Sequence, residues 1–172
     1  MQSFPHQILS GEDFKTALEI LGPVRIARPD LVIAPDGNPY LYRWHIVRLQ
    51  AASVYFHIQV ASDPQRPLHD HPWDNTSVIL SGGYDEIWEP QPWMRDTREP
   101  VMRKLRAGDV VHRLACESHR LILPDGFGYT MTLFSTGPRE RDWGFWYPEG
   151  LKLHTKVTKT VNGVSKHIGE AT

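Results

Sequence analysis

The stretch Leu68-His69-Asp70-His71-Pro72-Trp73 contains two histidines separated by a single residue. Side chains of a β-strand alternate between its two faces, so His69 and His71 project to one face and Asp70 to the other. Two imidazoles on one face can both reach a metal ion at about 2.0–2.1 Å. The chain has nine histidines in 172 residues, so a pair with this spacing also arises by chance. The surrounding sequence must therefore decide between a metal site and histidines that are only hydrogen-bonded.

Short strands separated by turns surround this motif. Turn residues cluster at Gly82-Gly83 and at Pro124-Asp125-Gly126. About ten strands with one clear helix predict an all-β protein, a β-sandwich or barrel. The predicted strands are residues 31–34, 40–49, 54–60, 76–80, 84–89, 101–105, 110–113, 119–123, 129–134 and 143–147.

The two ends of the chain differ from this pattern. Ser10 can cap a helix and Gly22-Pro23 can end it, which predicts a helix over residues 10–21. Near the other end, Asn162-Gly163 between short apolar runs predicts a hairpin. We expect one domain. Its parts are an N-terminal arm (1–30), a β-barrel (31–150) and a C-terminal hairpin or tail (151–172).

Two glycines are spaced by the same distance from two histidines, one in each half of the barrel sequence. Gly82 lies eleven residues after His71, and Gly108 lies eleven residues before His119. In this spacing the sequence resembles the cupin superfamily, whose first motif runs His-x-His, Glu, Gly and whose second motif runs from Gly to His. The resemblance covers residues 40–150 and implies a double-stranded β-helix, the jelly-roll barrel of cupins.

The chain departs from the cupin consensus at several positions. Asn75 stands where Glu is usual, and Leu114-Ala115-Cys116 stands where Pro-x-Gly is usual. Thr136-Gly137-Pro138-Arg139 and Trp143-Gly144-Phe145 extend the resemblance to a group of mostly uncharacterised bacterial and phage cupin-like proteins. Because the proteins of this group are mostly uncharacterised, the resemblance predicts the fold of the chain but gives little indication of its reaction.

The cupin resemblance also implies a metal site. Its ligands would be His69, His71 and His119, which as neutral imidazoles suit one divalent transition metal. Fe(II) is favoured, with Zn(II), Ni(II) or Mn(II) as alternatives. A three-histidine site without Glu is similar to that of the thiol dioxygenases. In those enzymes an upstream arginine holds the substrate carboxylate and a later tyrosine assists, which implies catalytic roles for Arg43 and Tyr129.

Three further polar residues are candidate substrate contacts. Asn75 could offer a weak amide ligand, with a turn or a hydrogen bond behind the ligands as the favoured alternative. His57 alternates with apolar neighbours and so can face the barrel interior. His112 precedes the second motif, where a structural or rim position is the alternative. The carboxylates at residues 85, 86 and 89 follow the double glycine and are expected to lie in water.

Charge and cysteine content limit the classes of partner. Lys and Arg total 19 against 20 Asp and Glu, for a net charge of −1. We therefore expect no nucleic acid and no membrane as a partner. The single cysteine, Cys116, excludes an internal disulfide and suits a reducing compartment. With no secretory signal or apolar span in the sequence, the prediction is a cytoplasmic protein.

These features predict a metal-dependent enzyme that resembles an Fe(II) dioxygenase and acts on a small anionic molecule. Two alternatives stay open. One is a metal-assisted isomerase, epimerase or hydrolase, and the other is a non-catalytic cupin that binds a small metabolite. By analogy with cupins, a homodimer is a candidate assembly.

Overall fold

The computed structural model describes residues 8, 9, 11–34, 37–63, 67–89, 100–161 and 164–167. Within these ranges the chain forms two helices, α1 (Gly11–Arg25) and α2 (His154–Val157). The strands are β1 (Leu31–Ile33), β2 (Leu41–Arg48), β3 (Ser53–Gln59), β4 (Asn75–Ser81), β5 (Gly83–Glu89), β6 (Val101–Arg106), β7 (Val110–Arg113), β8 (Ser118–Ile122), β9 (Thr130–Thr136), β10 (Gly144–Tyr147), β11 (Gly150–Leu153), β12 (Thr158–Val161) and β13 (Val164–His167).

The strands form three sheets. The largest has eight strands in the order β12-β13-β1-β2-β3-β9-β4-β7, and the others are β6-β5-β8 and β10-β11. All neighbouring pairs are antiparallel except β1 with β13. The predicted all-β architecture is confirmed, and each of the ten predicted strands is present with ends shifted by at most two residues.

The predicted N-terminal helix is confirmed as α1. Gly22 has φ 75° and ψ 164°, so helical geometry is interrupted at the predicted Gly22-Pro23 end and resumes for one short turn. Ser10, the predicted cap, lies outside the described residues. Neither described helix combines the length and apolar character needed to span a membrane.

The C-terminal stretch adds more structure than the sequence predicts. β11 pairs with β10, and α2 follows it. β12 and β13 pair antiparallel, as the predicted hairpin requires, although its Asn162-Gly163 turn lies outside the described residues. β13 also pairs in parallel with β1, which joins the hairpin to the large sheet.

The main apolar core lies between α1 and one face of the large sheet. Ala17 and Leu21 of α1 belong to the same buried cluster as Trp44, Phe56 and Ile58. Because strand side chains alternate, the residues next to these, such as Arg43 and His57, face the other side of the sheet. That opposite face lines the cavity described below.

A second apolar cluster joins the three-stranded sheet to β4 and β7. It contains Ile79, Tyr84, Leu105 and Val111. The chain enters this region through the predicted turn at Gly82, which has φ 71°. A Cβ atom there would lie 2.5 Å from the carbonyl oxygen of Tyr129, so only glycine fits. The turn therefore fixes how closely β5 approaches β9.

Candidate metal site

Backbone hydrogen bonds join the first histidine motif to the second. The N–H of His69 donates to the carbonyl oxygen of His119 at 3.0 Å, and the N–H of His119 donates back to that of His69 at 2.8 Å. The N–H of His71 donates to the carbonyl oxygen of Ala115 at 3.2 Å. His69 also forms a bridge with Phe145 of β10. This short segment therefore connects the two smaller sheets.

Asp70 fixes the orientation of the histidine pair. Its carboxylate is fully buried. Oδ1 accepts the N–H of Gly144 at 2.8 Å, and Oδ2 accepts Nε1 of Trp146 at 3.1 Å and lies 3.0 Å from Nη1 of Arg141. His69 and His71 instead line the cavity on the other side. The predicted alternation of this segment is confirmed, and Asp70 ties the segment to β10.

The structure brings together the three predicted ligands. One ring nitrogen each from His69, His71 and His119 lies within 4.8 Å of the others. Nε2 of His71 and Nε2 of His119 are 2.8 Å apart. Two nitrogens that each lie about 2.0–2.1 Å from one ion are separated by about 3 Å at an octahedral angle. The residues therefore fit a metal ion in donor type and spacing.

Burial keeps the imidazoles of His71 and His119 in the form that binds metal. Burial and the charges of Arg113 and His69 lower the pKa of His119 to about 4, although Glu86 opposes this shift. Burial and the neighbouring His119 and His69 lower the pKa of His71 well below its ordinary value. At neutral pH both rings are therefore uncharged, and a nitrogen lone pair is available on each.

Glu86 holds His119 from the side opposite the cluster. Its carboxylate is completely buried, and Oε1 hydrogen-bonds to Nδ1 of His119. An ionised carboxylate only accepts hydrogen bonds, so it assigns the proton to Nδ1 and leaves the lone pair on Nε2. The expectation that this carboxylate lies in water is wrong.

Two arginines balance the buried charge of Glu86. Nε of Arg113 is 2.6 Å from Oε1, and Nε of Arg103 is 2.6 Å from Oε2. Burial tends to raise the pKa of Glu86, but its hydrogen bonds to His119 and Arg113, together with their charges, lower it far below the ordinary value. Arg113 is itself only 1% exposed. Glu86 is therefore ionised inside the protein.

The structure places Asn75 beside Arg113. Its side chain is 2% exposed, and Oδ1 accepts Nη1 of Arg113 at 3.4 Å. It lines neither of the cavities described below. The structure therefore does not bring Asn75 to the histidines as a fourth ligand or substrate contact; it supports Arg113.

Two cavities meet at the histidine cluster. We call the cavity that all three histidines line the inner cavity, with a volume of about 80 Å³, and the other the outer cavity, with about 310 Å³. His69, His71 and Arg43 line both cavities, whereas His119 lines only the inner one. The two cavities are therefore joined at the imidazoles of His69 and His71 and the guanidinium of Arg43.

Arg43 and His57, two predicted substrate contacts, both line the inner cavity. Nε of Arg43 donates to Nε2 of His57 at 2.8 Å, and the guanidinium lies 4.9 Å from the ring centroid of Tyr55. Burial and the charge of Arg43 lower the pKa of His57 well below its ordinary value, so this ring stays neutral. Among the described residues no carboxylate forms an ion pair with Arg43. Its charge is therefore available to an anionic ligand.

The structure does not bring Tyr129 and His112 to the cluster. The hydroxyl of Tyr129 donates to Asp13 of α1 at 2.6 Å, and its ring packs against the core beneath that helix. His112 is exposed on β7, with Nδ1 3.1 Å from the hydroxyl of Thr76. Neither lines the cavities. Their placement does not support the catalytic role predicted for Tyr129 or the substrate contact predicted for His112.

Comparison with known proteins gives matches in structure. No family model and no curated protein matches the sequence. DMSP lyase DddQ from Ruegeria pomeroyi DSS-3 has a TM-score of 0.50 and 22% identity, covering 68% of this chain and 57% of its own. Fe(II) HppE in complex with substrate has a TM-score of 0.50 and 14% identity, covering 62% of this chain and 54% of its own. A cupin superfamily protein from Desulfitobacterium hafniense DCB-2 has a TM-score of 0.44 and 14% identity, covering 61% of this chain and 82% of its own.

These similarities concern the fold. The chain spans little more than half of the DddQ and HppE chains, with identities of 22% and 14%. None of the three structures is described as a thiol dioxygenase, so that resemblance stays a prediction. The antiparallel sheets and the matches to DddQ and HppE show that the chain has the jelly-roll fold that its resemblance to cupins implies.

Proposed function

We propose that this protein is a metal-dependent enzyme that acts on a small organic anion. One observation carries the proposal: three imidazoles converge to within 4.8 Å at a cavity that is also lined by Arg43. His69, His71 and His119 would hold one divalent transition metal. Arg43 would bind the charged group of the substrate beside it.

Fe(II) is the metal we favour. Three imidazoles without a carboxylate ligand leave several coordination positions open, a set also compatible with Zn(II), Ni(II) or Mn(II). HppE, which has a similar fold, is described in its Fe(II) form. When bound, such a metal supplies Lewis acidity and, as Fe(II), redox chemistry with O₂. The proposed reaction class is therefore that of a dioxygenase-like oxidoreductase.

The chain's own residues would bind and orient the substrate. The guanidinium of Arg43 can form two parallel hydrogen bonds with a carboxylate or phosphonate. Its hydrogen bond to His57 and its position over Tyr55 fix its direction. Because it has no described carboxylate partner, an anion from solution can pair with it without displacing one. The site therefore selects negatively charged ligands.

Reconstitution with metal tests this proposal. Chelator-treated protein would be incubated anaerobically with Fe(II), Zn(II), Ni(II) or Mn(II), and its metal content measured by mass spectrometry. We expect about one ion per chain. An oxygen electrode, with a panel of small carboxylates and phosphonates, should record uptake only in the Fe(II) protein. A content below about 0.1 ion per chain would contradict a metal site.

A redox-neutral isomerisation, epimerisation or hydrolysis is the second candidate. The inner cavity is also lined by Asp63, whose Oδ2 accepts the N–H of Leu121 at 2.8 Å. A carboxylate at this place can take up a proton from a substrate. Turnover of a substrate under nitrogen by the Zn(II) or Mn(II) protein would favour this candidate over the dioxygenase.

Glu86→Gln is expected to weaken metal binding about 10–100-fold. The amide is uncharged and a weaker acceptor than the carboxylate, so it fixes the ring of His119 less well. The measurement is competition for Zn(II) with a coloured chelator, on protein whose circular dichroism is native. Asp85→Asn, one residue away on β5, is the matched control because its carboxylate pairs with Arg106 instead. If Glu86→Gln and Asp85→Asn bound Zn(II) equally tightly, Glu86 would not support metal binding through the ring of His119.

A further inference from the structure

Four aromatic side chains of the outer cavity lie nearly parallel in series. Trp73 stacks on His71 with ring centroids 5.1 Å apart and planes at 15°. His71 and Trp143 are 6.4 Å apart at 20°, and Trp143 stacks on His154 at 4.4 Å and 11°. All four line the outer cavity. Because each ring stacks on the next, the orientation of these aromatic side chains in the cavity lining is already set.

The rest of this cavity is mainly apolar. Leu31, Ile33 and Pro72 also line it, and among its described residues Arg43 carries the one permanent charge. A sugar would bring several hydroxyl groups here, and most would lose their water without gaining a partner. A flat hydrocarbon ring would instead bury apolar surface and pack against the edges of these aromatic rings, an arrangement that aromatic pairs also favour. The lining therefore favours an aromatic ligand.

Arg43 determines how such a ligand would be oriented. It lies where the outer cavity meets the inner one, next to His69 and His71. An acidic group attached to a ring would reach the guanidinium while the ring stays in the outer cavity. The guanidinium of Arg43 thus matches the acidic group of an aromatic acid, and the outer cavity matches its ring.

We propose that the substrate is a small aromatic acid whose anionic group binds Arg43 and whose ring packs among the aromatic side chains of the outer cavity, Trp143 included. This inference rests on the proposed function, because it uses Arg43 as the anion contact beside the metal site. It adds the chemical class of the substrate. Trp143 is then the residue that determines specificity, and aliphatic acids of the same size bind less well.

Three simple carboxylates test the proposal. Acetate, cyclohexanecarboxylate and benzoate would be titrated calorimetrically into the Zn(II)-loaded protein. We expect benzoate to bind about tenfold more tightly than acetate, and several-fold more tightly than cyclohexanecarboxylate, because only benzoate is planar. Trp143→Leu should remove the preference for benzoate while acetate binds as before. Arg43→Met should weaken the binding of all three.

The matched control is Tyr147→Leu, which removes an aromatic ring of β10 that lines neither cavity. It should keep the wild-type preference. If Trp143→Leu does not fold, Trp73→Leu replaces it and is expected to reduce the same preference. The inference is overturned if benzoate binds no more tightly than cyclohexanecarboxylate, or if the preference survives in Trp143→Leu. Protein that holds no metal and binds no carboxylate would instead refute the proposed function, and this inference with it.

Discussion

His119→Ala is expected to remove the bound metal. The variant deletes one of three nitrogens that lie within 4.8 Å of one another, and the two that remain cannot hold an ion comparably. The loss of metal affinity should exceed the roughly 10–100-fold expected when a residue that hydrogen-bonds to a ligand, such as Glu86, is changed. The measurement is the metal content of the reconstituted protein after gel filtration. His71→Ala should have the same effect.

His112→Ala is the matched control for this experiment. His112 lies on β7, seven residues before His119, and its exposed side chain lines neither cavity, so its loss should leave metal content unchanged. Circular dichroism of the metal-free variants separates loss of the site from loss of the fold. If the His112 variant lost metal while His119→Ala kept it, the three-histidine assignment would be refuted.

The histidine pair was predictable because it depends on local geometry alone. A strand alternates its side chains wherever it lies in the fold, so the sequence places His69 and His71 on one face and Asp70 on the other. The same rule places His57 opposite Phe56 and Ile58. These positions follow from the period of two and need no knowledge of which strands pair.

Glu86 was not predictable because it depends on cross-strand register. β5 pairs with β8 so that Trp88 faces His119 and Glu86 faces Leu121. Glu86 and His119 are therefore diagonal neighbours on one face, although 33 residues separate them. The alternation of side chains along β5 gave one indication, because Tyr84 and Glu86 are two residues apart and must share a face. A buried tyrosine there predicts a buried carboxylate.

The positions of His112 and Arg113 show why hydropathy does not predict which side chains of β7 are buried. Val111 and Arg113 are buried while Val110 and His112 are exposed. An arginine in an inward position is rare unless a carboxylate pairs with it. Its partner, Glu86, comes from another sheet. The sequence of β7 by itself therefore cannot indicate which face is inside.

Arg113→Met is expected to lower the free energy of unfolding of the metal-free protein by about 3–5 kcal/mol. Arg113 is 1% exposed and Glu86 is completely buried, with Nε and Oε1 2.6 Å apart. Methionine fills much of the same volume but leaves the carboxylate with less compensating charge. Its remaining cation, Arg103, is 29% exposed and therefore balances the charge less well. Urea denaturation followed by circular dichroism measures the change.

Two further variants distinguish the stability cost of an unbalanced Glu86 carboxylate from the general cost of losing an arginine. Arg139→Met removes an arginine whose ion pair with Asp142 is exposed, and it should cost less than about 1 kcal/mol. The double variant Glu86→Gln with Arg113→Met should be more stable than Arg113→Met alone, because no unbalanced carboxylate remains. If adding Glu86→Gln instead destabilised the protein further, Arg113 would stabilise the fold through its contacts with Ser77, Asn75 and Tyr84 rather than by neutralising Glu86.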